Sequence, residues 1–224
     1  MGTFTIAGKT VSVFPSAEPG APVLYLNTFG QEGRQVFETA RASGCPPFSL
    51  VAVSGLDWNR DMSPWDAPAA FQGGDAFTGG ADAYLELLLQ EIVPAAEEVL
   101  PGPPRWRGIA GYSLAGLFAL YALHRTDHFS RAASVSGSLW FPGFQEYAQT
   151  HPFPRRPEGI YLSLGDRESR TRNPVLRTVQ EHTGELHAFY QGQGIPTVFQ
   201  LNPGNHFVQG AERTAAGLRW LLER

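Results

Sequence analysis

Ser113, His206 and the neighbouring acids Asp166 and Glu168 are the residues of this 224-residue chain whose types and order suit acyl transfer. A serine hydroxyl is a weak nucleophile near neutrality and needs a base within hydrogen-bond reach, most often a histidine oriented by a carboxylate. Ser113 stands in Arg107-Gly-Ile-Ala-Gly-Tyr-Ser-Leu-Ala-Gly-Leu-Phe-Ala-Leu, between a short apolar run and an apolar helical stretch. A serine held in a sharp strand-to-helix turn requires small residues two positions before and after it. Gly111 and Ala115 supply them, with Ala115 replacing the glycine that is usual at the second position, and Gly116 follows. The turn would expose Ser113 above the strand ends and leave the Leu114 amide, at a helix N-terminus, free to donate to a developing oxyanion. The competing reading is that Ser113 only caps the helix, as serines ahead of apolar helices commonly do.

The partners discriminate between these readings. Of the six histidines, His206 lies in the turn-forming stretch Asn202-Pro-Gly-Asn-His-Phe, between the last expected strand and the last expected helix. His182 and His187 fall inside an expected helix, and His124, His128 and His151 lie before or far from this region. An apolar strand at residues 159–164 runs into Gly165-Asp166-Arg167-Glu168, so both acids follow the serine and precede the histidine. Acid, then histidine, is the order in which triad partners follow an elbow serine in a hydrolase sheet. Asp166 and Glu168 both remain candidates, against the alternative that Asp166 caps a turn and Glu168 pairs with Arg167, Arg170 or Arg172.

The elements that must hold these residues are legible from periodicity. Residues 3–14 alternate around Ala7-Gly8-Lys9 and read as an edge hairpin. Strands are expected at residues 23–26, 48–53, 107–110, 132–136, 159–164 and 197–201. Helices are expected at residues 32–42, 81–100 with Pro94 kinking it, 114–124, 174–190 and 211–222. Strands alternating with helices predict an α/β fold, a mostly parallel central sheet with helices on both faces and an N-terminal antiparallel edge hairpin. Residues 55–80, rich in Gly, Pro, Asp and Trp, form a longer connection of the kind that carries function, and no large cap domain is evident.

Composition narrows the function classes. A chain of this length with 42% hydrophobic residues suits one α/β domain, residues 1–224, without linkers or internal repeats. Seventeen Lys+Arg against 21 Asp+Glu, net charge −4, and no basic run argue against nucleic acid or an anionic membrane as partner. Cys45 is the only cysteine, so no intrachain disulfide or thiolate metal site is expected, and a reducing cytoplasm fits. No secretory leader or membrane span is read at the N-terminus or elsewhere. HExxH, GxGxxG and GxxxxGK motifs are lacking, so neither a metal nor another cofactor is expected. A homo-oligomer is allowed but not indicated, and the expected partner is a small-molecule ester.

The segments VLYLNTFG, DWNRDMSPW, GGADAYLELLLQEIVP, IAGYSLAGLFALYAL, SVSGSLWFPGF, LSLGDRE and the final NH carry a resemblance over nearly the whole chain. The chain resembles the putative-esterase family of α/β-hydrolases, which includes siderophore trilactone esterases, S-formylglutathione hydrolases, feruloyl esterases and mycolyl-transferring enzymes. It looks most like small bacterial members near the siderophore esterases. The resemblance implies a serine esterase with Ser113 and His206 as catalytic pair and favours Glu168 over Asp166, because members often carry Gly-x-x-Glu after that strand. It also implies that a second oxyanion donor follows the first central strand. Relatives have Leu-Asp-Gly-x there and this chain has Leu26-Asn27-Thr28-Phe29, so Phe29 is the best match and Thr28 the second choice. By the same resemblance Trp58, Arg60, Trp65 and Trp140 would lie over the site, as an aromatic wall with one anion-binding group. The implied substrate is a small siderophore-type or aryl ester. A thioesterase or acyltransferase would use the same residues, and a non-catalytic binding protein would keep only the fold.

Overall fold

The computed structural model describes residues 2–224. Alternation at the N-terminus gives the edge hairpin, β1 (Gly2–Ile6) and β2 (Lys9–Phe14), turned through Ala7 and Gly8 at positive φ. Near-continuous apolar runs give β3 (Val23–Asn27), β4 (Ser49–Ser54), β7 (Arg107–Tyr112), β8 (Arg131–Val135) and β9 (Gly159–Gly165). Such runs are what strands covered on both faces require. With β10 (Thr197–Asn202) at the far edge, the sheet runs β1-β2-β4-β3-β7-β8-β9-β10, parallel from β4 onward. The mostly parallel α/β architecture with an antiparallel edge hairpin is therefore as expected.

Helices cover both faces. On one, α1 (Gly33–Ala42) and α8 (Gly210–Leu222) pack Val36, Ala40, Leu218 and Leu221 onto Leu24, Leu26, Leu50 and Ala110. On the other, α5 (Leu114–Arg125), α6 (Phe144–Thr150) and α7 (Val179–Gly192) enclose Tyr25, Val51 and Ile109. Residues Leu114 to His124 of α5 are all buried, consistent with a sequence apolar on every side. Because side chains alternate along a strand, adjacent Leu24 and Tyr25 serve opposite cores.

Three details depart from the periodic reading. Pro94, which has no N–H for a helical bond, is accommodated by a π turn, Leu88–Ile92, between α3 (Ala81–Leu87) and α4 (Val93–Glu98). The helix expected from residue 174 opens as a 3₁₀ turn, Leu176–Thr178, whose entry is held by the Asn173 carboxamide accepting from the amides of Val175 and Leu176. Helix α6 has no counterpart among the expected helices, being only two turns with Phe144 and Ala148 buried. The long connection carries α2 (Trp58–Asp61) and the two-residue pair β5 (Asp66–Ala67) and β6 (Phe77–Thr78). An ion pair between Lys9 and buried Asp61 and a hydrogen bond from the Gly79 amide to Ser63 Oγ tie it down. No helix among the described residues is long and apolar enough to cross a membrane.

Candidate active site

Ser113 joins β7 to α5 with φ 60° and ψ −124°, a region costly for a residue with a Cβ. The surroundings over-determine it. Its amide donates to Val135 O at 3.0 Å, and its carbonyl accepts from the amides of Ser138 at 3.0 Å and Gly116 at 2.9 Å. A Cβ on Gly111 would lie 2.3 Å from the carbonyl carbon and oxygen of Ala115 and 2.6 Å from its methyl. The alanine at 115 is thus accommodated because position 111 is bare. Ser113 makes no side-chain capping bond to α5, so its hydroxyl is not spent as a cap.

The hydroxyl instead meets His206, with Oγ 3.0 Å from Nε2. On the other side of the ring, Nδ1 is 2.8 Å from Glu168 Oε2. A neutral imidazole that donates from Nδ1 to the carboxylate keeps its Nε2 lone pair for the serine proton. Glu168 Oε1 accepts from the Gly165 amide at 2.6 Å, Ser136 Oγ at 2.7 Å and Arg213 Nη1 at 3.3 Å. Burial pushes the Glu168 carboxyl up, but the bonds from His206 and Gly165, the histidine's charge and the Ser136 hydroxyl outweigh it and hold it below the ordinary carboxylate value. The ring's backbone is fixed by Tyr112, whose hydroxyl donates to His206 O at 2.6 Å.

Asp166 is not part of this line. Its Oδ1 accepts from the Gly204 amide at 2.9 Å, shaping the turn that carries His206 from outside. The expectation of Asp166 as an alternative acid is corrected, because two positions along the turn decide which carboxylate faces the imidazole.

The two expected oxyanion positions separate equally clearly. Thr28 donates its amide to Val53 O at 2.9 Å, continuing the β3–β4 ladder, and its hydroxyl goes to Gly30 O and Val53 O. Thr28 is thereby removed as an amide donor. The Phe29 and Leu114 amides have no acceptor among the described residues. Asn27, at the end of β3, is buried and accepts the Tyr84 hydroxyl instead of closing its own turn.

The putative-esterase family matches this chain over residues 15–206. The chain belongs to that family. Membership supports an ester hydrolase. The uncharacterized protein YbbA of Bacillus subtilis is 23% identical over 183 residues, 79% of this chain and 73% of YbbA. Among solved structures, an IroE-like serine hydrolase from Shewanella oneidensis superposes with TM-score 0.78 at 17% identity, covering 96% of this chain and 76% of that one. The siderophore hydrolase EstA of Aspergillus nidulans gives TM-score 0.75 at 18% identity, covering 99% and 94%. The enterobactin esterase FES of Shigella flexneri gives 0.69 at 21% identity, and this chain spans 55% of its length. At these identities the likeness concerns the fold.

In this esterase-family chain two clefts meet at Ser113 and His206. One, of about 690 Å³, is walled by Phe29, Trp58, Tyr112 and Phe207. The other, of about 440 Å³, is walled by Phe71, Trp140, Leu176 and Val179. Trp58 and Trp140 therefore line different clefts that share Ser113, and the Phe29 ring stands edge-on to Trp58 at 5.2 Å. Trp65 and Arg60 are corrections to the expected wall. Trp65 bonds Pro142 O through Nε1 at 2.9 Å and packs on Tyr121, Phe141 and Tyr147, because its loop folds down onto the α5–α6 side of the core. Arg60 lies along Gly80, where a Cβ would come within 2.5 Å of its Cγ, and lines neither cleft. Arg213, Ser136 and Tyr112 carry no local sequence signal as site residues. Arg213 sits on α8, one helical turn after Gln209, and reaches back beneath Glu168, which periodicity alone assigns merely to a helix.

Proposed function

We propose that this chain is a serine carboxylic-ester hydrolase that works through an acyl-enzyme on Ser113. The observation that carries the reading is the continuous line Glu168–His206–Ser113, at 2.8 and 3.0 Å, ending in a serine whose positive φ lifts it into the mouth of two clefts. Ser113 Oγ attacks the ester carbonyl carbon while His206 Nε2 takes its proton. The Leu114 and Phe29 amides receive the oxyanion of the tetrahedral intermediate. Its collapse breaks the bond to the alcohol, which leaves with the proton from His206. Water then attacks the acyl-enzyme, gives a proton to Nε2, and the second collapse returns Ser113 and frees the acid. Glu168 keeps the imidazole in the tautomer both halves require.

Aromatic residues in both clefts that share Ser113 suit a small aryl or siderophore-type ester, and the solved siderophore hydrolases share the fold. Replacement of Ser113 by alanine tests the reading. Hydrolysis of a short p-nitrophenyl ester and labelling by a fluorophosphonate should both vanish while circular dichroism stays unchanged; retained turnover would exclude the assignment.

A further inference from the structure

The clefts that meet at Ser113 differ in charge. The larger is lined by the acidic residues Glu32 and Glu212 and by no lysine or arginine, whereas the smaller is lined by Arg167 and Arg170 together with Trp140. The only carboxylate lining the smaller cleft is Glu168, already taken by His206, Ser136, Gly165 and Arg213. Arg167 meets Asp166 only at 3.8 Å, between side chains that are 65% and 47% exposed, a pair too loose to occupy its donors. Among the described residues Arg170 forms no ion pair. Ser113 and His206 border both clefts, so an ester whose carbonyl lies at Ser113 has room for its acyl part in one and its alcohol part in the other.

The geometry points to an anion-binding subsite formed by Arg167 and Arg170. The substrate carries a carboxylate or comparably acidic group on one side of the scissile bond. Its other side is an uncharged or cationic aromatic portion lying among Phe29, Trp58 and Phe207. Planar guanidiniums present paired N–H donors to two oxygens of such a group, a match that a neutral ester cannot reproduce. This assignment rests on the reading of Ser113 as nucleophile and adds to it the charge of the substrate.

The test compares matched esters at low salt. One pair places the charge on the acyl side, a p-nitrophenyl hemisuccinate against p-nitrophenyl butyrate. The other places it on the alcohol side, the butyrate of 4-hydroxybenzoate against that of its methyl ester. One anionic ester should exceed its neutral partner in kcat/KM by about fivefold or more, with the advantage shrinking as ionic strength rises. The ratio should fall toward one in the R167Q/R170Q double variant; should that variant fail to fold, the wild-type ratio and its salt dependence decide. Calorimetry of the same esters on Ser113→Ala separates the two levels. Turnover in the wild type without charge discrimination in rate or binding overturns the subsite and leaves the hydrolase reading standing. Discrimination in binding without wild-type turnover retains the subsite and overturns hydrolysis.

Discussion

Arg213 Nη1 lies 3.3 Å from Glu168 Oε1, an ion pair sealed behind the imidazole with side chains only 2% and 5% exposed. The same guanidinium reaches Ser136 Oγ at 3.2 Å and, through Nη2, Pro203 O at 2.8 Å. One residue of α8 thereby joins the acid-bearing turn, the β8 end and the His206 loop. Removing it leaves a buried carboxylate short of a partner, which costs about 3–5 kcal/mol in comparable pairs. R213M should lower the melting temperature and kcat together. R213K, which keeps the charge but cannot span three partners, should recover part of the stability and less of kcat. Thermal melts alongside steady-state kinetics check this; full activity in a stable R213M would refute a positioning role.

The two acids should behave differently. E168Q withdraws the carboxylate from Nδ1 and lets the imidazole adopt the wrong tautomer, with an expected loss in kcat on the order of 10²–10⁴. D166A removes the acceptor of the Gly204 amide, worth about 1 kcal/mol of stability, and the loose, exposed 3.8 Å contact with Arg167, and should keep kcat within about tenfold of wild type. Hydrolysis of a short p-nitrophenyl ester by each variant distinguishes them, and comparable losses would contradict the geometry.

The elbow should tolerate change on one side only. G111A puts a methyl 2.3 Å from backbone atoms of Ala115, which cannot retreat without moving α5, so a loss above about 3 kcal/mol or failure to fold is expected. A115G vacates space and costs about 1 kcal/mol through helix propensity. Urea denaturation of both variants, with an intact far-ultraviolet spectrum for A115G, is the measurement.

Acid should destabilise the fold in two windows. His124 stacks on Phe153 at 4.0 Å and faces Tyr147, Tyr190 and the His151 carbonyl, to which Nδ1–H donates while Nε2 accepts the Tyr190 hydroxyl. Burial pushes its pKa down from 6.5 to about 4, against the pull of the His151 carbonyl. Between those values the unfolded chain binds the proton and the folded chain does not, so stability falls with falling pH, by roughly 3 kcal/mol in full. H124Q should flatten that slope. Glu168 is held below its ordinary 4.5, so its contribution is present above that value and lost only as pH falls through the lower folded one. Denaturation midpoints from pH 7 to 3 for wild type and H124Q check the assignment.

Much of the architecture is legible in the sequence because burial on both faces imposes near-continuous apolar strands, and the β7–α5 segment around Ser113 allows little else. Alternation set the hairpin, and turn chemistry put His206 in a loop after the last strand. Short elements such as α6 escape because two buried residues do not make a period, and Pro94 signals interruption without specifying a π turn.

The nature and order of the candidate chemical groups, Ser113, then an acid, then His206, are properties of the sequence alone. Which acid faces the ring was decided by the tertiary structure. The turn after β9 directs Glu168 inward and Asp166 outward, a matter of backbone direction that no side-chain list contains. The same holds for the Thr28 amide, spent in a ladder bond to Val53 while the Phe29 amide is left without an acceptor among the described residues, and for Trp65 and Arg60, which the long loop folds away from the serine. Local sequence determines what a segment can do; the competition of its donors, acceptors and apolar faces for partners distant in the chain determines what each residue is left free to do.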